Sequence, residues 1–210
     1  MEKVSVIMPV YLGEYEGCAE DREEKFVRAI NSFLNNDYDN KELVIVGDAC
    51  DKSLSILYDK FTDELKSKKI KFYNMPKKQK LFSGKLRTTG LKICDGDYIM
   101  YLDSDDMLGD RHITNVYSQM KYNLLDWCYY NDFLLPDGGK LIKKEVELEH
   151  GSIGTSSIAH INSKKINWRW CNGYGHDWKF IKKLMRFSNN YEKIYGATYI
   201  ICHIPDTMDN

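Results

Sequence analysis

The feature that most constrains the fold is an alternation of strand-like and helix-like segments over the first hundred residues. Four short apolar runs are typical of buried strands: VSVIMPV (4–10), ELVIVGD (42–48), KIKFYNM (69–75) and YIMYL (98–102). Between them, apolar residues recur at helical spacing over 20–36, 52–66 and 84–94. Because strands that alternate with helices pair in parallel, we predict an α/β fold with a mostly parallel central sheet flanked by helices.

The second half of the chain is less regular. Its predicted elements are a helix (111–121), a strand (124–135), a turn (136–139), a strand (140–148), a helix (176–187) and a last strand (197–204). The Asp-Gly-Gly turn favours a β-hairpin between its two flanking strands. No linker-like stretch separates the halves, so we predict a single domain, 1–210, with a 1–108 half and a smaller irregular 109–210 half.

Composition and charge exclude several classes of protein. The chain is 43% hydrophobic and 29% charged, and its formal net charge of −1 gives no basic footprint for nucleic acid. No stretch approaches the roughly 20 apolar residues of a membrane span, and the N-terminal residues lack the features of a signal peptide. The six cysteines are dispersed without a C-x-x-C pair, so we expect free thiols and a cytoplasmic protein.

Three carboxylates follow the fourth predicted strand directly, at Asp103, Asp105 and Asp106. At about 5 Å and an effective dielectric near 20, each pair of charges costs roughly 3 kcal/mol. Solvation would shrink that cost and a bound cation would reverse its sign, so the cluster is either a solvated turn or a cation site. Because ligands bind beyond the carboxyl ends of parallel strands, the cluster would share one edge with Tyr11 and Asp48.

The chain lacks the common loops that bind phosphate or calcium. Neither G-x-x-x-x-G-K-[ST] nor a G-x-G-x-x-G after a strand is present. An EF-hand loop starting at Asp103 would place Leu108 where glycine is required. The basic run PKKQK (76–80) is either a solvated loop or a contributor to phosphate binding. Because no phosphate-binding loop is present, a phosphorylated ligand would need a metal to offset its charge. Paired carboxylates suit Mg²⁺ or Mn²⁺ in that role.

Three blocks in order resemble the family 2 glycosyltransferases of the GT-A fold. They are VSVIMPVY, ELVIVGDACD and GKLRTTGLKICDGDYIMYLDSDDML, and they extend from residue 4 to about 108. The last is the most specific, since it combines a helix carrying Arg and Gly, an A-x-G-x-Y-I lead-in and L-D-x-D-D. Cys94 replaces the usual Ala and Thr88 the usual Asn, and neither change removes a charged group. The resemblance implies a Rossmann-like GT-A sheet whose 1–108 half binds a nucleotide-sugar.

The resemblance also implies roles for the residues at the sheet edge. Pro9 and Tyr11 would lie against the nucleotide base, and Asp48 would accept a hydrogen bond from it. Arg87 would reach the nucleotide or its diphosphate, with Lys85 and Ser104 in the same site. Asp103 and Asp105 form the D-x-D that holds the ribose and a divalent metal; Asp106 is an alternative to Asp105 as the metal ligand.

The 109–210 half would supply the catalytic base and bind the acceptor. The family usually places the base in a Glu-Asp pair that opens a helix after a Gly-rich turn, and NGYGHDWKF matches that context with His176 in place of Glu. Asp177 is therefore the predicted base; the alternative is a first-turn Asp that only favours the helix dipole. His203 is a candidate further metal ligand, or simply a packed residue.

Aromatic residues crowd the predicted base. These aromatic residues and His176 are candidates for contact with the acceptor, because sugars present C–H faces that stack on aromatic rings. The alternative is that the rings form an aromatic core under a loop. The rings are Trp168, Trp170, Tyr174 and Trp178.

The resemblance implies a metal-dependent glycosyltransferase that inverts the anomeric configuration. We expect it to use a nucleotide-sugar, most simply a UDP-sugar, with Mn²⁺ or Mg²⁺, and to act on a glycan or a lipid-linked acceptor met at the membrane surface. Two alternatives stay open. A nucleotidyltransferase would normally show a basic Gly-rich loop after the first strand, and a non-catalytic nucleotide-sugar or glycan-binding module would not need Asp177.

Overall fold

The computed structural model describes residues 1–15, 18, 20–79, 84–136 and 139–202. Six α-helices lie within those ranges: α1 (Arg22–Leu34), α2 (Asp51–Lys60), α3 (Thr62–Lys66), α4 (Gly84–Ile93), α5 (His112–Tyr122) and α6 (His176–Phe187). The first strands are β1 (Val4–Val10), β2 (Lys41–Gly47), β3 (Ile70–Asn74), β4 (Tyr98–Tyr101), β5 (Met107–Leu108) and β6 (Trp127–Tyr129). The later strands are β7 (Asp132–Leu134), β8 (Ile142–Lys144), β9 (Ile158–Ile161), β10 (Tyr191–Lys193) and β11 (Tyr199–Ile201).

A seven-stranded sheet forms the centre of the molecule, in the order β10-β6-β9-β4-β1-β2-β3. The strands β1 to β4 pair in parallel, and β10 is parallel to β6. Strand β9 runs the other way, between β4 and β6. The predicted mostly parallel sheet is therefore confirmed, with β1 paired in parallel to both β2 and β4.

A second sheet of four strands, β5-β11-β7-β8, lies beside the first. Its strands β7 and β8 pair antiparallel, which confirms the predicted hairpin. Two residues of the predicted turn, Asp137 and Gly138, lie outside the described residues. None of the helices in the described ranges is both long and apolar enough to cross a membrane.

The single strand predicted over 124–135 is wrong, because the chain leaves one sheet for the other at Tyr130 and Asn131. The buried Tyr130 hydroxyl donates to the Ile158 carbonyl at 3.1 Å, and the Asn131 side chain accepts the Val146 amide at 2.9 Å. These side-chain bonds hold the chain where it has no strand partner, so the segment divides into β6 and β7.

Two further expectations need correction. The helix predicted over 52–66 is two helices, because Phe61 turns into the core with φ −133° and ends α2. Asp51 is the first residue of α2, and its carboxylate accepts the Asn74 side-chain amide at 3.1 Å. Strands β5, β9 and β10 were not predicted, since each has only two to four residues.

The buried strands feed a core on each face of the large sheet. Along β1, Val6 and Met8 face the layer of α1 and α5, whereas Ile7 between them faces the layer of α6. Gly90 lets α4 lie close to this strand, because a Cβ there would come within 2.6 Å of Ile7 Cγ2. That close packing holds Arg87, one turn earlier on α4, against the carboxyl end of the sheet.

Candidate active site

The carboxyl ends of the parallel strands β1 and β2 bring Tyr11 and Asp48 to one edge of the sheet, as predicted. Asp48 is 4% exposed and its carboxylate accepts the Gln79 backbone amide at 2.6 Å. Burial raises the pKa of Asp48, although that hydrogen bond and the charge of Lys78 act in the opposite direction. The Lys78 ammonium also lies 3.7 Å from the centre of the Tyr11 ring. The basic run therefore packs over this edge as far as Gln79, and Lys80 lies outside the described residues.

Pro9 and Gly13 lie on either side of Tyr11 in the sequence. Pro9 is inside β1, level with Val46 of β2. Gly13 leaves room for the tyrosine ring, because a Cβ there would lie 2.3 Å from the Tyr11 hydroxyl.

Asp106 is built into the fold. It is 6% exposed, one of its oxygens accepts the Tyr199 hydroxyl at 2.8 Å and the other accepts the Cys202 amide at 2.9 Å. Burial, and then the charges of Asp105 and Asp103, raise its pKa well above the ordinary range. Both oxygens are thus engaged inside the protein, which favours Asp105 over Asp106 as a ligand for a cation.

Asp103 and Asp105 are more accessible than Asp106. The Arg87 guanidinium donates to one oxygen of Asp103 at 3.0 Å, and burial raises the pKa of Asp103 although that guanidinium acts to lower it. Among the described residues, no side chain bonds the Asp105 carboxylate; the Asp105 carbonyl accepts from Arg28 at 2.7 Å. Ser104 between them is half-buried in the same turn.

Arg87 is almost fully buried, at 7% exposure, with its guanidinium carbon 5.0 Å from the centre of the Trp168 ring. Its Nε has no hydrogen-bond partner among the described residues. In the described part of the chain, this N–H is an unsatisfied donor beneath the surface of the site. Lys85, in the first turn of the same helix, is exposed.

Asp177 is the second residue of α6, so it lies in the first turn where the helix dipole favours a negative charge. One of its oxygens accepts the Thr155 hydroxyl and lies 3.0 Å from His176 Nε2. Burial acts to raise the pKa of Asp177, but the His176 hydrogen bond, the charge of Arg87 and the Thr155 bond outweigh it and lower that pKa. The carboxylate is therefore held ionised, as a base must be.

A continuous chain of contacts joins the D-x-D to this carboxylate. Arg87 contacts Asp103 through Nη2, and its Nη1 lies 3.4 Å from His176 Nε2, which in turn contacts Asp177. The same imidazole nitrogen faces a cation and an anion, and it donates to Asp177 only in the tautomer or charge state that carries hydrogen on Nε2. A glutamate at this position would have no such donor.

Asp132, the first residue of β7, is a site-adjacent carboxylate that the sequence did not reveal. It is fully buried, and one of its oxygens accepts the hydroxyls of Ser156 and Ser157 at 2.9 and 2.7 Å. Its other oxygen has no partner among the described residues. Burial raises its pKa to about 6. The 3₁₀ turn Thr155–Ser157 therefore holds two carboxylates, Asp132 and the predicted base.

The aromatic residues near the base divide into core and surface. Trp168 is fully buried, stacks on Phe180 with ring centres 3.8 Å apart, and donates to the Tyr101 hydroxyl at 2.9 Å. Its expected place on the acceptor side is therefore wrong, since no face of its ring is open to a sugar. Trp170 is 80% exposed and Tyr174 is 90% exposed.

The two remaining acceptor-side candidates lie on α6. Trp178 is half-buried, with its ring centre 6.3 Å from that of His150, and His176 is 9% exposed beneath the surface. His176 therefore contacts Arg87 and Asp177 and presents no exposed platform.

Within the described ranges, no group of three or more His, Cys, Asp or Glu side chains could by itself hold a metal ion. His203 lies outside the described residues. The donors that fit a divalent cation at this edge are the oxygen of Asp103 not bound by Arg87 and the Asp105 carboxylate. Magnesium and manganese commonly complete so small a protein set with water and substrate phosphate oxygens.

Residues 5–133 match the family model described as glycosyl transferase family 2. The chain belongs to this family. It is 34% identical over 132 residues to an uncharacterized glycosyltransferase of Haemophilus influenzae, covering 62% of this chain and 47% of the relative. It is 29% identical over 166 residues to the poly(ribitol-phosphate) beta-N-acetylglucosaminyltransferase TarP of Staphylococcus aureus, covering 75% and 44%. The matched regions are less than half the length of both relatives.

Solved structures confirm the GT-A fold. The crystal structure of S. aureus TarS 1-349 superposes with a TM-score of 0.72 at 18% identity, over 95% of this chain and 60% of TarS 1-349. The crystal structure of TarS 1-349 in complex with UDP-GlcNAc gives a TM-score of 0.72 as well. The expected Rossmann-like sheet flanked by helices, with a second small sheet, is thus shared with TarS.

Proposed function

We propose that this chain is a glycosyltransferase that moves a sugar from a UDP-sugar to an acceptor hydroxyl, with Asp177 as the base. The observation that carries the proposal is the chain of contacts from Asp103 through Arg87 and His176 to Asp177, because it joins a donor-side carboxylate to an ionised, partly exposed one. A relative described as a beta-N-acetylglucosaminyltransferase and a structural neighbour solved with UDP-GlcNAc support the donor class.

The donor would lie across the carboxyl ends of β1, β2 and β4. Asp48, whose carboxylate faces this edge, would accept a hydrogen bond from the nucleobase of the donor. The Tyr11 ring would lie against that nucleobase. Arg87 would reach the nucleotide or its diphosphate, and the exposed Lys85 and half-buried Ser104 would be close by. Pro9 would support Tyr11 from within the strand.

Asp103 and Asp105 would hold the metal, with the ribose also bound by Asp103. A bound Mn²⁺ or Mg²⁺ would offset the negative charge that develops on the departing nucleoside diphosphate. Asp106 would act by fixing the turn, since both its oxygens are bound by the fold.

Asp177 would accept the proton of the acceptor hydroxyl as the oxygen of that hydroxyl attacks the anomeric carbon. The new C–O bond forms on the face opposite the bond to the diphosphate, which breaks, so the anomeric configuration inverts. Thr155 and His176 bind one oxygen of Asp177 and leave the other to the acceptor. A hydrogen bond donated to a carboxylate makes the carboxylate a weaker base but keeps it ionised at lower pH. The two donors also orient the carboxylate toward the acceptor, which compensates for the loss of basicity.

A thermal-shift screen of nucleotide-sugars with and without Mn²⁺ tests the donor and the metal together. We expect UDP-sugars to raise Tm more with Mn²⁺ than without it, and expect Asp48→Ala to reduce that shift. Absence of any shift with every nucleotide-sugar would refute the donor assignment. If the protein binds a UDP-sugar but does not turn it over, and Asp177→Asn leaves that binding unchanged, a non-catalytic binding module is favoured.

A further inference from the structure

The turn that holds the predicted base is itself held by a buried carboxylate. One oxygen of Asp132 accepts the hydroxyls of Ser156 and Ser157 at 2.9 and 2.7 Å. The backbone supports the same arrangement, because the Tyr130 amide donates to the Ser157 carbonyl at 2.9 Å. The start of β7 therefore holds the 3₁₀ turn through two serine side chains and one carbonyl.

The first residue of that turn contacts the predicted base directly. Thr155 is 3% exposed, and its hydroxyl donates to one oxygen of Asp177. The other oxygen of Asp177 lies beside Gly154, where a Cβ would be 3.9 Å from it. Because the Thr155 hydroxyl carries a single hydrogen, its bond to Asp177 depends on where the turn places the threonine. A shift of the turn would therefore move a contact of the base.

Asp132 is also level with the residue that fixes the D-x-D turn. Strand β7 pairs in parallel with β11, and Asp132 is in register with Tyr199. The Tyr199 hydroxyl accepts the Asp103 amide at 3.0 Å and donates to Asp106 at 2.8 Å. Partner residues of two paired strands thus hold the donor-side carboxylates and the turn that contacts the base.

The fold by itself gains little from a carboxylate at this position. Asp132 is fully buried, and its second oxygen has no hydrogen-bond partner among the described residues. A buried carboxylate oxygen that lacks a partner destabilises the folded state. A neutral amide oxygen could accept both serine hydroxyls without that penalty. The serine contacts therefore need an oxygen at this place and do not need its charge.

We propose that Asp132 is a positioning residue of the transfer reaction, which sets the orientation of the Asp177 carboxylate through the turn Thr155–Ser157. Asp132 holds the two serines, the turn places Thr155, and Thr155 donates to the oxygen of Asp177 that does not take the acceptor proton. The inference rests on the proposed function, because it assigns a role in the same reaction.

The test is the pKa of Asp177, measured by NMR of protein with isotope-labelled aspartate carboxyl carbons. The Asp177 signal is assigned by its absence from Asp177→Asn. Burial acts to raise the pKa of Asp177, but neighbouring groups, the Thr155 hydroxyl among them, lower it below its ordinary value. Loss of the Thr155 bond is therefore visible as a rise in this pKa.

The other groups around Asp177 stay the same in the comparison. The charged and titratable side chains that face it are Arg87, His176 and Asp103, and none of the variants changes them. Burial raises the pKa of Asp132 to about 6, so Asp132 is already protonated in the range where Asp177 titrates. Replacing Asp132 therefore removes its contacts in that range without removing a charge.

Thr155→Val removes the donor directly and should raise the pKa of Asp177 by about 0.5 to 1 pH unit. Asp132→Ala should give a similar rise, and so should Ser156→Ala with Ser157→Ala, which breaks the same contacts with a smaller loss of packing. Asp132→Asn keeps an oxygen for the serines and should restore most of the wild-type value. Asp132→Ala combined with Thr155→Val should shift the pKa no further than Thr155→Val alone, because both act through one bond.

Met120→Ala on α5 is the matched control for lost stability, because Met120 is also fully buried, and it should leave the pKa of Asp177 unchanged. Release of UDP from UDP-GlcNAc with Mn²⁺, with water as the acceptor, gives the catalytic readout. Asp132→Ala should lower kcat about tenfold and leave KM for the donor within about twofold of the wild-type value. Asp132→Asn should recover most of that loss.

An unchanged pKa of Asp177 in Asp132→Ala and in the double serine variant would overturn the proposal. An equal rise in Met120→Ala would also overturn it, since general loosening of the fold would then explain the effect. A fully additive rise in the variant that combines Asp132→Ala with Thr155→Val would overturn the route through Thr155. Absence of UDP release by the wild-type protein, with the pKa changes as expected, would refute the proposed function alone.

Discussion

Asp132 offers the sharpest test of the electrostatics around the candidate site. It is fully buried, one oxygen has no partner in the described part of the chain, and its pKa is raised from 3.8 to about 6. The perturbation is Asp132→Asn, which keeps the side-chain shape and one carbonyl oxygen for Ser156 and Ser157 but removes the titrating group. The buried carboxylate is then no longer required to ionise.

The sign follows from proton binding. Because the folded-state pKa of Asp132 lies above the unfolded value, the folded protein binds more protons between about pH 4 and pH 6, and its stability falls as pH rises through that window. A difference of about two pKa units corresponds to roughly 3 kcal/mol. About 2 kcal/mol of this falls between pH 4 and pH 7. The variant should lack this loss.

The assay is urea unfolding followed by tryptophan fluorescence at several pH values from 4 to 7. We expect the free energy of unfolding of Asp132→Asn, minus that of the wild type, to increase by about 2 kcal/mol across this range. Asp63→Asn, on the exposed surface of α3, is the matched control and should give a flat difference. Parallel pH profiles for Asp132→Asn and the wild type would refute the assignment of a buried, proton-coupled carboxylate.

Two further predictions concern the base and the aromatic core. His176→Glu replaces a hydrogen-bond donor to Asp177 by a second carboxylate, so the acidic limb of the pH profile of kcat/KM should move about 1 to 3 pH units higher. His176→Gln keeps an N–H and should move that limb less. Equal shifts in both variants would contradict the role of His176 as a donor. Trp168→Ala should lower the free energy of unfolding by about 3 to 5 kcal/mol, because a stacked, buried ring is lost. Trp170→Ala at the surface should change the free energy of unfolding by less than about 0.5 kcal/mol. Similar losses in both variants would contradict the division into core and surface rings.

The first half of the fold could be predicted because its signals are local. The runs 4–10 and 42–48 form strands β1 and β2, which are buried on both faces, and parallel pairing followed from the alternation with helices. The acidic cluster lay at the end of one such run, which fixed its place at the sheet edge. Two- to four-residue strands such as β5 and β9 carry too few residues to show a period, so they depend on partners distant in the chain.

The site could be predicted only where function leaves a local motif. Asp103 and Asp177 stand in recognisable contexts, but the bonds that distinguish Asp105 from Asp106 come from Tyr199 and Cys202, over 90 residues away. Trp168 and Trp170 are near neighbours in sequence with opposite environments, since one faces Phe180 and the other solvent.

Asp132 shows the same limit from the other side. In the segment LLDWCYYNDFLL an acid such as Asp132 suggests an exposed position, and only the fold brings Ser156 and Ser157 to it. The run of hydroxyls at residues 155–157 was the one available signal, because three adjacent donors suit buried carboxylates.

The central claim is that Asp177 removes the proton of the acceptor, and UDP release by Asp177→Asn tests it most directly. The measurement compares wild type, Asp177→Asn and the surface control Asp110→Asn, with a UDP-sugar, Mn²⁺ and an acceptor, alongside UDP-sugar affinity for each protein. The account predicts wild-type donor affinity within about twofold and a fall in kcat of about 10² to 10⁴ for Asp177→Asn only. Turnover of Asp177→Asn within about tenfold of the wild type, at unchanged donor affinity, would contradict it.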